Sequence, residues 1–218
     1  MAFGSGVLIA TLCFSILPEA FSHTHTLDAT IMGFILGGLS YTISNAVLEK
    51  KSKKASTNIT EKTPDDNIAK ESKPASSRAL FIGSVMDNIP ENAALGITLA
   101  TGGAINIAFL VAIFVSNLPE GLASTNDMKV SGLSRKYILL LWSAAVIIGT
   151  FSTTIGYSVL SNTSPAIISI SIAFAAGAIL VMLGETMIPE AFKKEGFGIG
   201  LALLTGFLIA LILTIARG

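Results

Sequence analysis

An all-α integral membrane protein is the fold class that this sequence predicts, and three observations predict it. The 218-residue chain is 51% hydrophobic and 13% charged, with a mean hydropathy of +0.72; a soluble domain carries about 25% charged residues. Its apolar residues come in runs of about 20, the length that crosses a bilayer as a helix. Its basic residues collect between those runs, while several acidic residues lie inside them. The whole of 1–218 is expected to form a single transmembrane domain in contact with a lipid bilayer.

Seven spans are expected, approximately 2–21, 27–48, 79–101, 105–125, 137–158, 166–190 and 197–216. The first lacks a basic leader and a small-residue cleavage site, so it is expected to be a span rather than a signal peptide. In the second, Gly33 and Gly37 form a small-xxx-small pattern that lets helices approach closely. The segment 49–78 is polar, charged and poor in aliphatic residues, as expected of a flexible cytoplasmic loop. It holds Lys50, Lys51, Lys53, Lys54, Lys62, Lys70, Lys73 and Arg78. With that loop inside, alternation places Lys129, Arg135, Lys136, Lys193 and Lys194 inside too, and only Arg217 outside. The N-terminus then starts inside and the C-terminus ends outside.

Composition also excludes classes. Formal net charge is zero and no folded basic patch is evident, so a nucleic-acid partner is not expected. The single cysteine, Cys13, excludes an internal disulfide and fits a packed apolar thiol. No nucleotide cradle, HExxH helix, Ser/His/Asp set or CxxC occurs, so neither an enzyme nor a prosthetic group is expected.

The chemistry-bearing residues are acidic and amidic. Asp87-Asn88-Ile89-Pro90-Glu91 is followed 29 residues later by Ser116-Asn117-Leu118-Pro119-Glu120. A carboxylate in an apolar span is costly and needs a compensating partner. A mid-helix proline also frees the carbonyl four residues earlier, here Met86 and Val115. Each copy thus gathers oxygen ligands on one turn, and Asp87 and Glu91 share a helical face. Glu19, Asp87, Glu91, Glu120, Glu185 and Glu190 all lie in or at the ends of spans, without a basic residue well inside any span. Such groups must bind protons, bind cations or line water. Asn88 and Asn117 could coordinate through oxygen or join helices. Glu185 stands well inside its span and is read as part of the site. His23 and His25 could capture a soft metal at the outer mouth or simply be solvated. A second repeat relates 6–21 to 177–192 at an offset of 171, closing in Pro-Glu-Ala-Phe; the expected topology runs the two in opposite directions, the mark of an inverted repeat.

These residues resemble the ZIP (ZRT/IRT-like) family of divalent-metal transporters. The family's paired His-Asn-x-Pro-Glu-Gly-type motifs correspond to DNIPEN (87–92) and SNLPEG (116–121), and its later AAGAxL…His-Glu…Pro-Glu pattern to AAGAIL (175–180), Gly184-Glu185 and Pro189-Glu190. The resemblance covers nearly the whole chain. It implies an eight-helix fold whose second to eighth helices are the seven spans, with the first missing through truncation, an alternative start or divergence. It implies metal ligands at Asp87, Asn88, Glu91, Ser116, Asn117 and Glu120, with Glu185 nearby, and a homodimer. It further implies inward movement of zinc, iron or manganese as substrate across the plasma membrane. Family histidines are replaced here by Asp87, Ser116 and Gly184, the first-motif glycine by Asn92, and a sixth-helix carboxylate has no counterpart in 137–158. Imidazole suits zinc, whereas carboxylate and carboxamide oxygens suit Mn²⁺, Ca²⁺ or Mg²⁺, so the family favours zinc or iron and the ligand set a harder ion. The alternatives are a non-transporting ZIP-like metal sensor or scaffold, and a proton- or sodium-coupled carrier of small organic solutes.

Overall fold

The computed structural model describes residues 1–24, 27–60, 81, 85, 88–100, 107–160, 163–193 and 198–215, and it is all-α over them. The helices are α1 (Ala2–Ser22), α2 (Leu27–Thr60), α3 (88–100), α4 (Ile107–Val130), α5 (Arg135–Leu160), α6 (Pro165–Lys193) and α7 (Ile199–Ile215). Among the described residues four are long and apolar enough to cross a membrane: Ala2–Ser22, Leu27–Val47, Arg135–Ser158 and Pro165–Lys193. Of the seven expected spans, four are thus long and apolar enough among the described residues. α7 is apolar but only 17 residues long, and of the expected span 79–101 only 81, 85 and 88–100 are described. α2 continues through Thr60, past the boundary expected at 48. The remainder of the expected loop, 61–78, lies outside the described residues.

Apolar surface confirms the solvent these helices are built for. Leu139, Leu140, Val146, Ile147, Phe151 and Ile155 of α5 are all exposed, a continuous patch that a soluble monomer rarely presents. Three exposed hydroxyls on the same helix bond within it: Ser143 to the Leu139 carbonyl (2.8 Å), Thr150 to Val146 (2.8 Å) and Thr154 to Thr150 (2.8 Å). Each polar group is thereby satisfied before it meets hydrocarbon.

Two of the helix pairs that pack through glycine are α2–α6 and α1–α7. A methyl group at Gly37 would overlap the Phe174 carbonyl, and one at Gly177 the Phe34 carbonyl, so α2 and α6 lie backbone to backbone. Contacts run in ascending order, from Thr30 on Ser169 (3.1 Å) to Thr42 on Glu185 (3.0 Å), which makes the pair parallel. Gly6 and Gly206 join α1 to α7 in the same manner, against the Leu203 and Phe3 carbonyls. Thr24, just past α1, meets Ser169 near the start of α6, and the first turns of α1 approach the last of α6, so those two are antiparallel.

Both stretches of the repeat at an offset of 171 carry the same local feature. Leu12–Ile16 and Leu183–Met187 are five-residue π turns, and the N–H groups of Leu17 and Ile188 bond five residues back, to Leu12 and Leu183. Pro18 and Pro189 follow directly. A proline has no N–H and collides with the carbonyl four residues earlier; widening the preceding turn accommodates the ring without breaking the helix.

The main core gathers Leu8, Leu12 and Ile16 of α1, Ile172, Ile179 and Met182 of α6, Phe109 of α4 and Ile97 of α3. A smaller cluster of Phe81, Met128, Ile138 and Ala145 closes the α4–α5 end, with Phe81 edge-on to Trp142 at 5.6 Å. The turn between α4 and α5 depends on Gly132 at φ 82°. Its N–H bonds to Lys129 and that of Leu133 to Met128 (both 3.1 Å), a Schellman closure of α4.

The α2–α6 contact is testable by methyl insertion. Gly37→Ala is expected to lower stability by about 1–3 kcal/mol through overpacking, despite alanine's better helix propensity. Gly184→Ala, where the added group meets nothing within 4 Å, is expected to leave stability unchanged or slightly raised. Thermal unfolding of both variants in detergent checks this; equal melting temperatures would contradict the backbone contact.

Candidate metal centre

The centre is built where α3 meets α4. Glu91 of α3 is 1% exposed, among the most buried side chains in the molecule. Its carboxylate accepts a hydrogen bond from the Asn117 amide of α4 at 2.9 Å. The first and second NxPE copies are thus in direct side-chain contact across two helices. A buried carboxylate is tolerated only with a partner that meets its charge or proton, and the carboxamide meets part of that need.

Three helix-packing contacts hold α3 at this depth. Methyl groups at Gly96 and Gly156 would overlap the Thr153 and Ala93 carbonyls, which fixes α3 tightly on α5. Ser152 of α5 donates to the Ile89 carbonyl at 2.8 Å. That bond adds a side-chain donor to the backbone oxygen next to Pro90 and ties the two helices together. α4 in turn remains helical through Pro119.

Asn88 faces another way. Its amide nitrogen lies 3.5 Å from the Ala145 carbonyl on α5, and its side-chain oxygen accepts from Asn92, which also donates to the Asn88 backbone carbonyl at 2.8 Å. Thr153 donates to the Asn92 oxygen at 3.4 Å. Of the two roles open to Asn88 in the sequence, joining helices is the one its contacts display. Residues 88 and 92 stand one turn apart on the α5 side, whereas Glu91 points to α4.

Glu185 sits in the second π turn and is exposed. Its two oxygens accept from Thr42 (3.0 Å) and Asn45 (2.8 Å) of α2, so its described contacts are with α2 and not with either NxPE copy. Thr42 and Asn45 escaped the sequence reading. Their signal was there: two hydrogen-bonding side chains three apart on one face of an apolar span, opposite an intramembrane acid.

Asp87 and Met86 lie outside the described residues, as do the side chains of Ser116 and Glu120. Among the described residues no three His, Cys, Asp or Glu side chains group to hold a metal. The described part of the centre is therefore Glu91, Asn117 and the Asn88–Asn92 pair. At the proposed outer mouth, His25 is also outside the described residues. His23 is half-buried, and its Nε2 atom is buried with no hydrogen-bond partner among the described residues. Burial pushes the His23 imidazole below its ordinary value of 6.5. No protein-family model matches the chain, and no curated protein matches it either.

His23 gives a pH signature with a definite sign. Between the lowered folded value and 6.5, the unfolded chain holds the extra proton, so stability falls as pH drops through that window and is unaffected above it. Melting temperatures measured between neutral and mildly acid pH should decline below about 6.5, and His23→Gln should remove that part of the decline. Superimposable pH profiles for the two proteins would contradict the buried neutral imidazole.

Proposed function

We propose that the protein is a ZIP-like transporter that carries a divalent metal cation across a membrane, with the ion passing between α3 and α4. One observation supports this above all: the Asn117 amide on the buried Glu91 carboxylate. It joins the two motif copies that sequence resemblance to the ZIP family singles out. Glu91, Asn117, Asp87, Glu120 and Ser116 are the proposed ligand set, with Asn88 adjoining it but engaged by Asn92 and α5, and Glu185 beside the path. Carboxylate and carboxamide oxygens replace the ion's hydration shell, and the ion's charge offsets the burial of the acids. The substrate is zinc, iron or manganese.

In this reading the chain crosses the membrane seven times, with 49–78 cytoplasmic, in the plasma membrane, and the protein acts as a homodimer. α1 with α7 and α2 with α6 form glycine-sealed pairs, the repeat relating α1 to α6, and α3 is fastened to α5. Sliding of the α3–α5 group along the paired helices would carry the ion from one opening to the other.

A second reading is a metal sensor or scaffold that binds without flux. It is favoured by Glu185, whose two oxygens are both engaged by α2 as in a fixed clamp.

Uptake of Mn²⁺ and Zn²⁺ into proteoliposomes tests the proposal. Wild-type protein should give uptake of at least one of them, and Glu91→Gln and Glu120→Gln should abolish it. Unchanged uptake in both variants would refute the site, and binding without any uptake would establish the sensor.

A further inference from the structure

We propose that Asn92 sets the cation preference of the NxPE centre by withholding the Asn88 side-chain oxygen from it; this rests on the cation-site reading above. The Asn92 amide nitrogen spans two oxygens of the preceding turn, the Asn88 carbonyl at 2.8 Å and the Asn88 side-chain oxygen. The Asn88 amide nitrogen is directed at the Ala145 carbonyl (3.5 Å). A methyl group at Gly149 would stand 3.1 Å from that nitrogen and 3.3 Å from the Asn92 nitrogen. The two carboxamides therefore lie close against Gly149 of α5, where an added methyl group would press on both, and Thr153 lies 3.4 Å from the Asn92 oxygen.

An ion held by Glu91 lies toward α4, where Asn117 approaches at 2.9 Å. For Asn88 to join its coordination, the side-chain oxygen must leave Asn92 and turn from α5. That movement strands a partly buried amide donor, which is unfavourable where water is scarce. Asn92 thus subtracts one neutral oxygen from the ligands available. The subtraction does not weigh equally on all ions. Zinc is satisfied by four ligands, whereas ions that favour six or more oxygens, such as Mn²⁺ or Ca²⁺, lose a ligand they use. Asn92 tilts an otherwise hard, histidine-poor centre back toward low-coordination ions.

Asn92 acts through Asn88 and is a positioning residue, so the test must separate release of Asn88 from loss of structure. Titration calorimetry with Mn²⁺ and with Zn²⁺ on the purified full chain in detergent provides the readout. Asn92→Ala should tighten Mn²⁺ binding about tenfold while moving Zn²⁺ little. Asn92→Ser should do the same, since a serine hydroxyl reaches the backbone carbonyl one turn back but not the Asn88 side-chain oxygen; it guards against failure of the alanine variant to fold. Asn88→Ala combined with Asn92→Ala should cancel the Mn²⁺ gain. A weakened or unchanged Mn²⁺ affinity in both Asn92 variants, or a gain that survives in the double variant, overturns the assignment. Binding that is absent from the wild type, or is unaffected by Glu91→Gln, overturns the cation reading itself and the Asn92 role with it.

Discussion

A carboxylate buried at the contact of two helices is the constraint from which the remainder of this structure follows. Glu91 is 1% exposed and meets Asn117 at 2.9 Å. An acid at that depth is costly, and hydrophobic packing alone would exclude it. Its placement requires α3 and α4 to present their NxPE turns to one another. It also requires α3 to be held firmly, because a small displacement would leave the carboxylate facing hydrocarbon. Gly96, Gly156 and the Ser152–Ile89 bond supply that hold from α5.

Around this contact the bundle relies on backbone proximity more than on interdigitated large side chains. Lipid tails are as apolar as leucine, so helices in a membrane gain from close van der Waals approach and from interhelical hydrogen bonds. The α2–α6 and α1–α7 pairs use the first device and Glu185 with Thr42 and Asn45 the second. The π turns before Pro18 and Pro189 show how similar sequence produces similar local strain relief in two distant helices. Each shifts the register of the helix that follows it, and Glu185, inside the second, contacts α2.

Much of this was legible from residue order, for physical reasons. Helix positions follow from apolar runs bounded by polar turns, and α1, α4, α5, α6 and α7 fall within a few residues of where those runs place them. Gly33 and Gly37 announced a close helix contact, and they make one. The end of α2 was not legible at 48: the following Lys- and Glu-containing stretch suits solvent, but it also suits a helix, and helix persists to Thr60. Seven apolar runs did not become seven demonstrable spans, because length and hydropathy together single out four among the described residues. Partnership was the least legible quantity. Pattern places Asn88 and Glu91 on one helix, but a 3.6-residue period alone does not tell which neighbour each faces. Asn88 turned out to serve α5 and Glu91 α4, and Glu185 found partners on α2.

Anomalous diffraction from crystals grown with Mn²⁺ tests the central claim most directly. The account predicts a manganese peak in direct coordination with the Glu91 carboxylate, between α3 and α4. A peak confined to Glu185 and α2, or none near Glu91 at saturating metal, would contradict it.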